Sequence, residues 1–422
     1  MKVIVLNAGK CGWGKCLFCG WGRMHASMSP DELIEKFNKE KGDDGVKLFC
    51  SGSFFDDNQF PKEFREHVAC EMQGKELYVE SRPEYLTKEK LTAFNGVKLT
   101  VAMGLEAGDD EVLKKLKKGI TLEKFKKASE LIHSHGFKVK GYLLVNPPFD
   151  YKGLLDKSVT FGKTYCDELV LINTYPHSAS ELFDHWINGS WKPISEKEFY
   201  EATKKYKDVQ LDANNYAFTP KFPEDKKEDL TGVGIEFVSH PHFNVWQDYL
   251  VRLYQKPADK DIALFLPCSK KKPYYNSRTH QSIRRVITGF NWYKKVHIIV
   301  ISNPGVIPIE FADKYPFNAY DWNESLETPE LMKEYIRINT ERAKNYLQAH
   351  DYKRVLSYFK PTSESGLALE NACKELKIPL VKLCDEEMLK KIHYDKNPLI
   401  HPLMIRAFKD KIAKELMNIK LQ

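Results

Sequence analysis

Short apolar runs alternate along the first half of the chain with stretches whose apolar residues recur every three or four positions. Residues 2–7, 46–50, 76–80, 99–103, 138–145 and 168–172 read as strands. Residues 29–39, 62–69, 87–94, 111–118 and 122–135, lying between them, read as amphipathic helices. Ser29-Pro30-Asp31-Glu32 is a helix start, with a capping hydroxyl, a proline at the first helical position and acids in the first turn. The alternation predicts an α/β fold, a parallel sheet with crossover helices, here six βα repeats of a partial (β/α)6 barrel. Between about residues 214 and 260 the rhythm breaks into Pro, Lys, Asp and Gly, followed by a short aromatic helix at 243–255. We place a domain boundary there, giving residues 1–235 and 236–422. In the second part strands are expected at 262–266, 296–301, 354–359 and 380–383, with helices at 277–289, 331–350, 366–375 and 402–417. That pattern predicts a smaller three-layer α/β domain.

A length of 422 residues agrees with two cores, and 42% hydrophobic with 29% charged residues excludes a disordered or fibrous chain. No apolar run reaches the length of a membrane span, and the opening MKVIVLNAG reads as a strand without a signal-peptide cleavage site. The expectation is a cytoplasmic protein with no membrane partner. The net charge of +7 comes largely from lysines on amphipathic helices, so charge alone does not point to a nucleic acid. Nine cysteines in such a chain read as ligands, nucleophiles or buried thiols rather than disulfides. Cys50, Cys70, Cys166, Cys373 and Cys384 are scattered on apolar segments and are assigned no role.

Cys11, Cys16 and Cys19 follow the first strand directly, so their thiolates gather where barrel enzymes place their chemistry. A structural zinc site takes four closed ligands, whereas a 4Fe-4S cluster held by three thiolates keeps one iron open for a small molecule. A zinc site completed by His25 or a distant cysteine is the competing assignment. The loop, with Phe18 before its last cysteine, resembles the radical S-adenosylmethionine superfamily, although four residues rather than the usual three separate Cys11 from Cys16. Ser51-Gly52-Ser53-Phe54, Val79-Glu80-Ser81-Arg82-Pro83-Glu84, Gly104-Leu105-Glu106 and the run from Tyr142 to Phe149 are similar, in that order, to the radical enzyme family of archaeosine biosynthesis. Asn146 stands where that family usually has lysine. The resemblance implies a 4Fe-4S cluster, S-adenosyl-L-methionine, an electron donor and hydrogen abstraction by a 5′-deoxyadenosyl radical. Ser51, Gly52 and Ser53 would meet the amino-acid end of the sulfonium ligand, while Glu80 and Arg82 would bind its ribose and carboxylate. Glu106 is a candidate for a polar group of the substrate. The alternative for Glu80, Arg82 and Glu106 is an ion-pair network at the barrel mouth.

Pro267, Cys268, Lys272, Pro273, Tyr274, Ser277 and His280 form a second constellation, in which Cys268 ends a strand and Ser277 caps a helix. His280 then falls in the first helical turn, placed to serve as a base or proton donor, and lysines 270 to 272 add positive charge. These positions, with Asn303-Pro304-Gly305-Val306-Ile307-Pro308, Glu310 and Tyr320-Asp321, resemble the archaeosine synthase family over roughly residues 240–422. The resemblance implies addition of free lysine through its ε-amine to the nitrile of 7-cyano-7-deazaguanine in tRNA. Cys268 is the candidate nucleophile and His280 the candidate proton donor, with direct attack by the amine and a structural Cys268 as the competing route. Lys272, Tyr274 and Ser277 are assigned to binding, and Asp321 to the amino group of the lysine substrate. Together the two resemblances imply successive steps on one chain: lysine addition, then radical cleavage of the lysine nitrogen–carbon bond to leave an amidine base. A radical enzyme acting on another RNA base, on free deazaguanine or on DNA is the alternative, with the second half as a recognition module.

Overall fold

The computed structural model describes residues 1–23, 28–50, 52–149, 153–213, 219–392 and 397–417. They fall into two compact units, Met1–Phe218 and Thr219–Gln422.

In the first unit, strands β1 (Lys2–Leu6), β2 (Gly45–Cys50), β3 (Glu76–Glu80), β4 (Lys98–Glu106), β5 (Lys138–Val145), β6 (Glu168–Asn173) and β7 (Gln210–Asp212) lie side by side in chain order. All neighbours are parallel. With this order every right-handed crossover delivers its helix to the same face, and the sheet curls into a partial barrel around the other. The expected repeats are therefore present with one strand more, because the three residues of β7 are too few to show a period. Side chains alternate along each strand. Leu77, Val79, Val139, Leu143 and Leu171 join Phe37, Phe64 and Phe125 of the covering helices in the core. Tyr78, Glu80, Lys140, Tyr142 and Glu168 have the opposite parity, and there the Tyr78 hydroxyl donates to Glu168 at 3.2 Å and Lys140 pairs with Glu168 at 3.2 Å.

Local chemistry sets the helix ends. Ser29 and Glu32 form the reciprocal capping box of helix Pro30–Glu40. The helix expected over 111–118 is shorter, Asp110–Lys115, because Lys117 and Gly119 take left-handed backbone at φ of 53° and 73°. Lys118 is thereby released from the helix and reaches Glu106. Strand β4 outruns its expected end, its pairing with β5 shifting register between Gly104 and Glu106, where Glu106 itself adopts φ of 67°.

The second unit holds β8 (Leu230–Thr231), β9 (Ile262–Pro267), β10 (Val296–Ser302), β11 (Gly305–Pro308), β12 (Tyr320–Asp321), β13 (Arg354–Ser357) and β14 (Leu380–Lys382). The division at Phe218 falls earlier than the expected boundary at residue 235 because β8 pairs with β12, which ties its segment to the second unit. The main sheet runs β11-β10-β9-β13-β14, with only β11 antiparallel. Ile283, Ile287, Met404, Phe408 and Ile412 pack with Ile262, Leu264 and Leu266 on one side. Helices Pro329–Ala349 and Glu364–Leu376 pack against each other as the third layer. The chain leaves β9 toward β10 and resumes on its other side at β13, so the strand order reverses between β9 and β13. In open α/β sheets such a reversal leaves a crevice at the carboxyl ends of the strands, where ligands bind. Cys268 directly follows β9. Among the described residues no helix is long and apolar enough to cross a membrane.

Candidate functional site

The three-cysteine loop is fastened to the turn after helix Asp110–Lys115. Leu17 N–H donates to Leu116 O at 3.0 Å, and the Trp13 indole donates to Lys117 O at 2.8 Å. Within the loop Cys11 N–H donates to Gly22 O at 3.1 Å and Cys19 N–H to Cys16 O at 3.3 Å. Two cations frame it. The Arg82 guanidinium reaches Lys118 O at 2.8 Å and Glu84 at 2.5 Å, lies 5.3 Å over Trp13 and stands 3.9 Å from Cys16 Sγ. Lys118 Nζ contacts Glu106 at 2.7 Å. Burial pushes the Cys16 thiol up, opposed by Lys118 and Arg82; it also pushes Cys19 up, opposed by the Gly22 backbone. The site is thus partly buried and cation-lined, an environment in which thiolates form on binding a metal centre and release protons. Among the described residues no three Cys, His, Asp or Glu side chains converge on one point as ligands of a single ion. His25 lies outside the described residues. A 4Fe-4S cluster bonds its thiolates to separate irons. Three thiols on one loop beside two cations are donor chemistry that a 4Fe-4S cluster accepts, and Cys11, Cys16 and Cys19 would hold it.

Around that loop the expected cofactor residues assemble in part. Glu80 accepts from Cys50 N–H at 3.1 Å, and burial pushes its carboxyl up to about 7, opposed by that hydrogen bond and by Lys118. Ser53, fully buried, accepts from Arg82 N–H through its hydroxyl at 3.1 Å. Ser51 lies outside the described residues. Gly52 has a physical reason: a Cβ there would stand 1.9 Å from Gln59 Oε1. Gln59 in turn accepts from Ser53 N–H at 2.8 Å and donates to Gly9 O at 3.1 Å, clasping the turn after β2 to the loop after β1. Glu106 is buried in its ion pair with Lys118. Asn146 turns through φ of 62° and donates to Lys192 O at 2.8 Å, beside a cavity of about 410 Å³ lined by Pro147, Pro148, Phe149 and Trp191. Sequence reasoning missed Trp13, Gln59 and Lys118; Trp13 lies within the cysteine loop, whereas only the chain's return in space brings Gln59 and Lys118 to it.

In the second unit Cys268 is half-buried. Burial raises its thiol, and a hydrogen bond from Ser302 works the other way, as does Lys272. Ser302, the last residue of β10, accepts from the Tyr320 hydroxyl at 2.5 Å, and Tyr320 and Tyr274 share a hydroxyl contact at 2.5 Å. Both tyrosines are raised well above their ordinary range by burial and stay protonated. Lys272 donates to Tyr320 O at 2.6 Å with its ammonium 4.0 Å over that ring; burial lowers it, opposed by Cys268 and Asp321. Asp321 is exposed. Ser277 caps helix Arg278–Ile287 by accepting from His280 N–H at 3.2 Å. The His280 ring stacks on Tyr274 at 5.8 Å and its Nε2 donates to Pro267 O at 3.0 Å. That bond commits His280 to the backbone beside Cys268, and burial lowers its pKa. Ser302 and Tyr320, rather than His280, are the groups that continue from the thiol. Gly305, at φ of 104°, lets the β10–β11 turn approach Gln247 and Arg342. Glu310 pairs with His297 at 3.2 Å, toward the amino end of β10 and away from Ser302.

Residues 8–155 match the Radical SAM superfamily, and residues 243–391 match a domain of unknown function, DUF5591. An uncharacterized protein of Methanocaldococcus jannaschii is 32% identical over 35% of this chain and 46% of its own length. The archaeosine synthase subunit beta of Thermococcus kodakarensis is 35% identical over 38% of this chain and 54% of its own length. The archaeosine synthase subunit alpha of Thermoplasma acidophilum is 32% identical over 26% of this chain and 22% of its own length. The chain spans about half the length of the first two relatives and less of the third.

Proposed function

Starting from a radical SAM domain joined on one chain to a DUF5591 domain, we propose a bifunctional tRNA-modifying enzyme of archaeosine biosynthesis. The second unit adds lysine to the nitrile of 7-cyano-7-deazaguanine in tRNA, and the first cleaves the lysine nitrogen–carbon bond to leave the amidine base. The observation that carries this reading is the pairing, on one polypeptide, of a cation-framed three-cysteine loop with a thiol–hydroxyl chain at the reversal point of a second sheet. Relatives named as archaeosine synthase subunits support it.

In the first unit Cys11, Cys16 and Cys19 would hold the cluster, while Glu80, Ser53 and Arg82 frame the place for S-adenosylmethionine. When bound, these cofactors supply one-electron chemistry able to take hydrogen from an unactivated C–H bond. The protein's part is to keep water out, to keep Arg82 and Lys118 beside the thiols, and to orient the ligand's polar ends.

In the second unit the Cys268 thiol adds across the nitrile: an S–C bond forms and the thiol proton passes to the nitrile nitrogen. The lysine ε-amine then displaces sulfur, forming the C–N bond as the C–S bond breaks and returning a proton to the thiol. Ser302 orients the thiol, and Tyr320 and Tyr274 hold Ser302. The test is anaerobic incubation of the reconstituted protein with nitrile-bearing tRNA, labelled lysine, S-adenosylmethionine and dithionite, followed by mass analysis of nucleosides. A lysine adduct that converts to archaeosine with release of 5′-deoxyadenosine is expected. Cys268→Ala is expected to abolish the adduct, and Ser302→Ala to slow it about tenfold, the worth of one hydrogen bond. No adduct from wild type sinks the reading, and an undiminished adduct from Cys268→Ala removes the covalent route.

A further inference from the structure

Between Asp261 and Glu310 the sequence contains no acidic residue, yet it carries Lys270, Lys271, Lys272, Arg278, Arg284, Arg285, Lys294 and Lys295. Helix Arg278–Ile287 turns Thr279, His280, Ile283 and Ile287 inward and leaves Arg278, Gln281, Arg284 and Arg285 exposed. On its outer side runs an open groove of about 420 Å³, lined by Tyr275, Asn276, Gln281, Arg284, Arg285 and Thr288. Gln281 lies one turn from Arg285, and Arg284 one turn from Thr288, so guanidiniums, amides and a hydroxyl share one face. Several other cations of this unit are paired: Lys344 with Glu341 and Glu375, Lys382 with Glu370, and Arg337 with Glu334. Among the described residues Arg284 and Arg285 have no acidic partner within ion-pair distance.

We infer that this groove is the seat of an RNA phosphodiester backbone. Forked guanidiniums without internal counter-charges suit phosphate oxygens, the flanking Asn276 and Gln281 amides can donate hydrogen bonds, and half-exposed Tyr275 offers a ring to an unstacked base. The groove's wall at Tyr275 and Asn276 belongs to the loop that begins at Cys268, so a bound strand runs along the same loop as the thiol. The choice of RNA rests on the function proposed above; the groove itself is a new assignment.

The experiment measures binding of a fluorescein-labelled, unmodified tRNA transcript to the full chain by anisotropy, across a series of salt concentrations. Because that RNA has no nitrile, the result is independent of adduct chemistry: a failed adduct assay overturns the proposed reaction, whereas this titration judges the groove. The double variant Arg284→Ala/Arg285→Ala, at exposed positions, is expected to keep its circular dichroism and bind about tenfold more weakly at 0.1 M salt. Its slope of log K against log salt should shrink by about 2, close to one counterion per lost phosphate contact. Lys39→Ala/Lys197→Ala, removing two exposed lysines of the first unit, is expected to match wild type. Unchanged affinity and slope in the arginine variant would overturn the assignment, as would an equal loss in the lysine variant. Equal, arginine-dependent binding of duplex DNA would overturn RNA as the partner.

Discussion

Glu80 shows what one half-buried side chain does to the metal-free first unit. Its carboxyl is held protonated up to about pH 7, whereas an unfolded glutamate ionises near its ordinary value of 4.5. Between these limits the unfolded chain has released a proton that the native chain retains, so stability falls as pH rises, by about 1.4 kcal/mol per unit. The contribution is full below pH 4.5 and is lost as pH passes 7, on the order of 3 kcal/mol in all. Glu80→Gln keeps the acceptor for Cys50 N–H and has nothing to ionise. Urea melts of the metal-free protein at pH 5 and 8 should show a smaller loss of stability in the variant; equal losses in both proteins would place the pH dependence elsewhere. The sequence made Glu80 legible because a motif surrounds it. Lys118, which opposes the upward shift, has no motif and was hidden inside an expected helix that ends at Lys115.

At the scale of elements, the reading of the sequence succeeded where a run was long enough to show its period. Strands β1 to β6 and the helices between β1 and β5 emerged from alternation, as did β9, β10 and β13, whereas helix Leu154–Tyr165 between β5 and β6 was not named. What failed was short or composed in space: β7, β8, β11 and β12 have too few residues, and the bulge at Glu106 depends on how β4 meets β5. Ser302, and the link of Tyr320 through it to Cys268, were illegible for the same reason. They come from the end of β10 and from a two-residue strand, and only the sheet order brings them to Cys268. Gln59 is the comparable case in the first unit, since one amide joins the turn after β2 to the loop after β1. Gln59→Ala removes both bonds, leaving buried Ser53 N–H without this acceptor, and is expected to cost about 1–3 kcal/mol in a urea melt. Gly52→Ala should do comparable damage, because its Cβ claims the space of the same amide. A null effect of both changes would show that the turn is held by other contacts.

For the whole molecule, two compact units, each with its own main sheet and main core, predict two unfolding events. Anaerobic calorimetry of the metal-free chain should resolve two transitions, and cluster reconstitution should raise only the one belonging to the first unit, since a ligand stabilises the fold that binds it. A single transition, or a shift of both, would mean that the units unfold together. The fold class and the two-part organisation were readable from the pattern; the boundary was not, because the two residues of β8 give no sign that they pair with β12. Each unit frames its candidate site with side chains from its own strands and loops, so neither borrows a contact named above from the other. The consequence is one of inheritance and dosage. A reading frame can be joined or divided near the codon for Phe218 without rewriting a contact named above at either candidate site, and while it stays joined every translated chain delivers both in a fixed ratio of one to one.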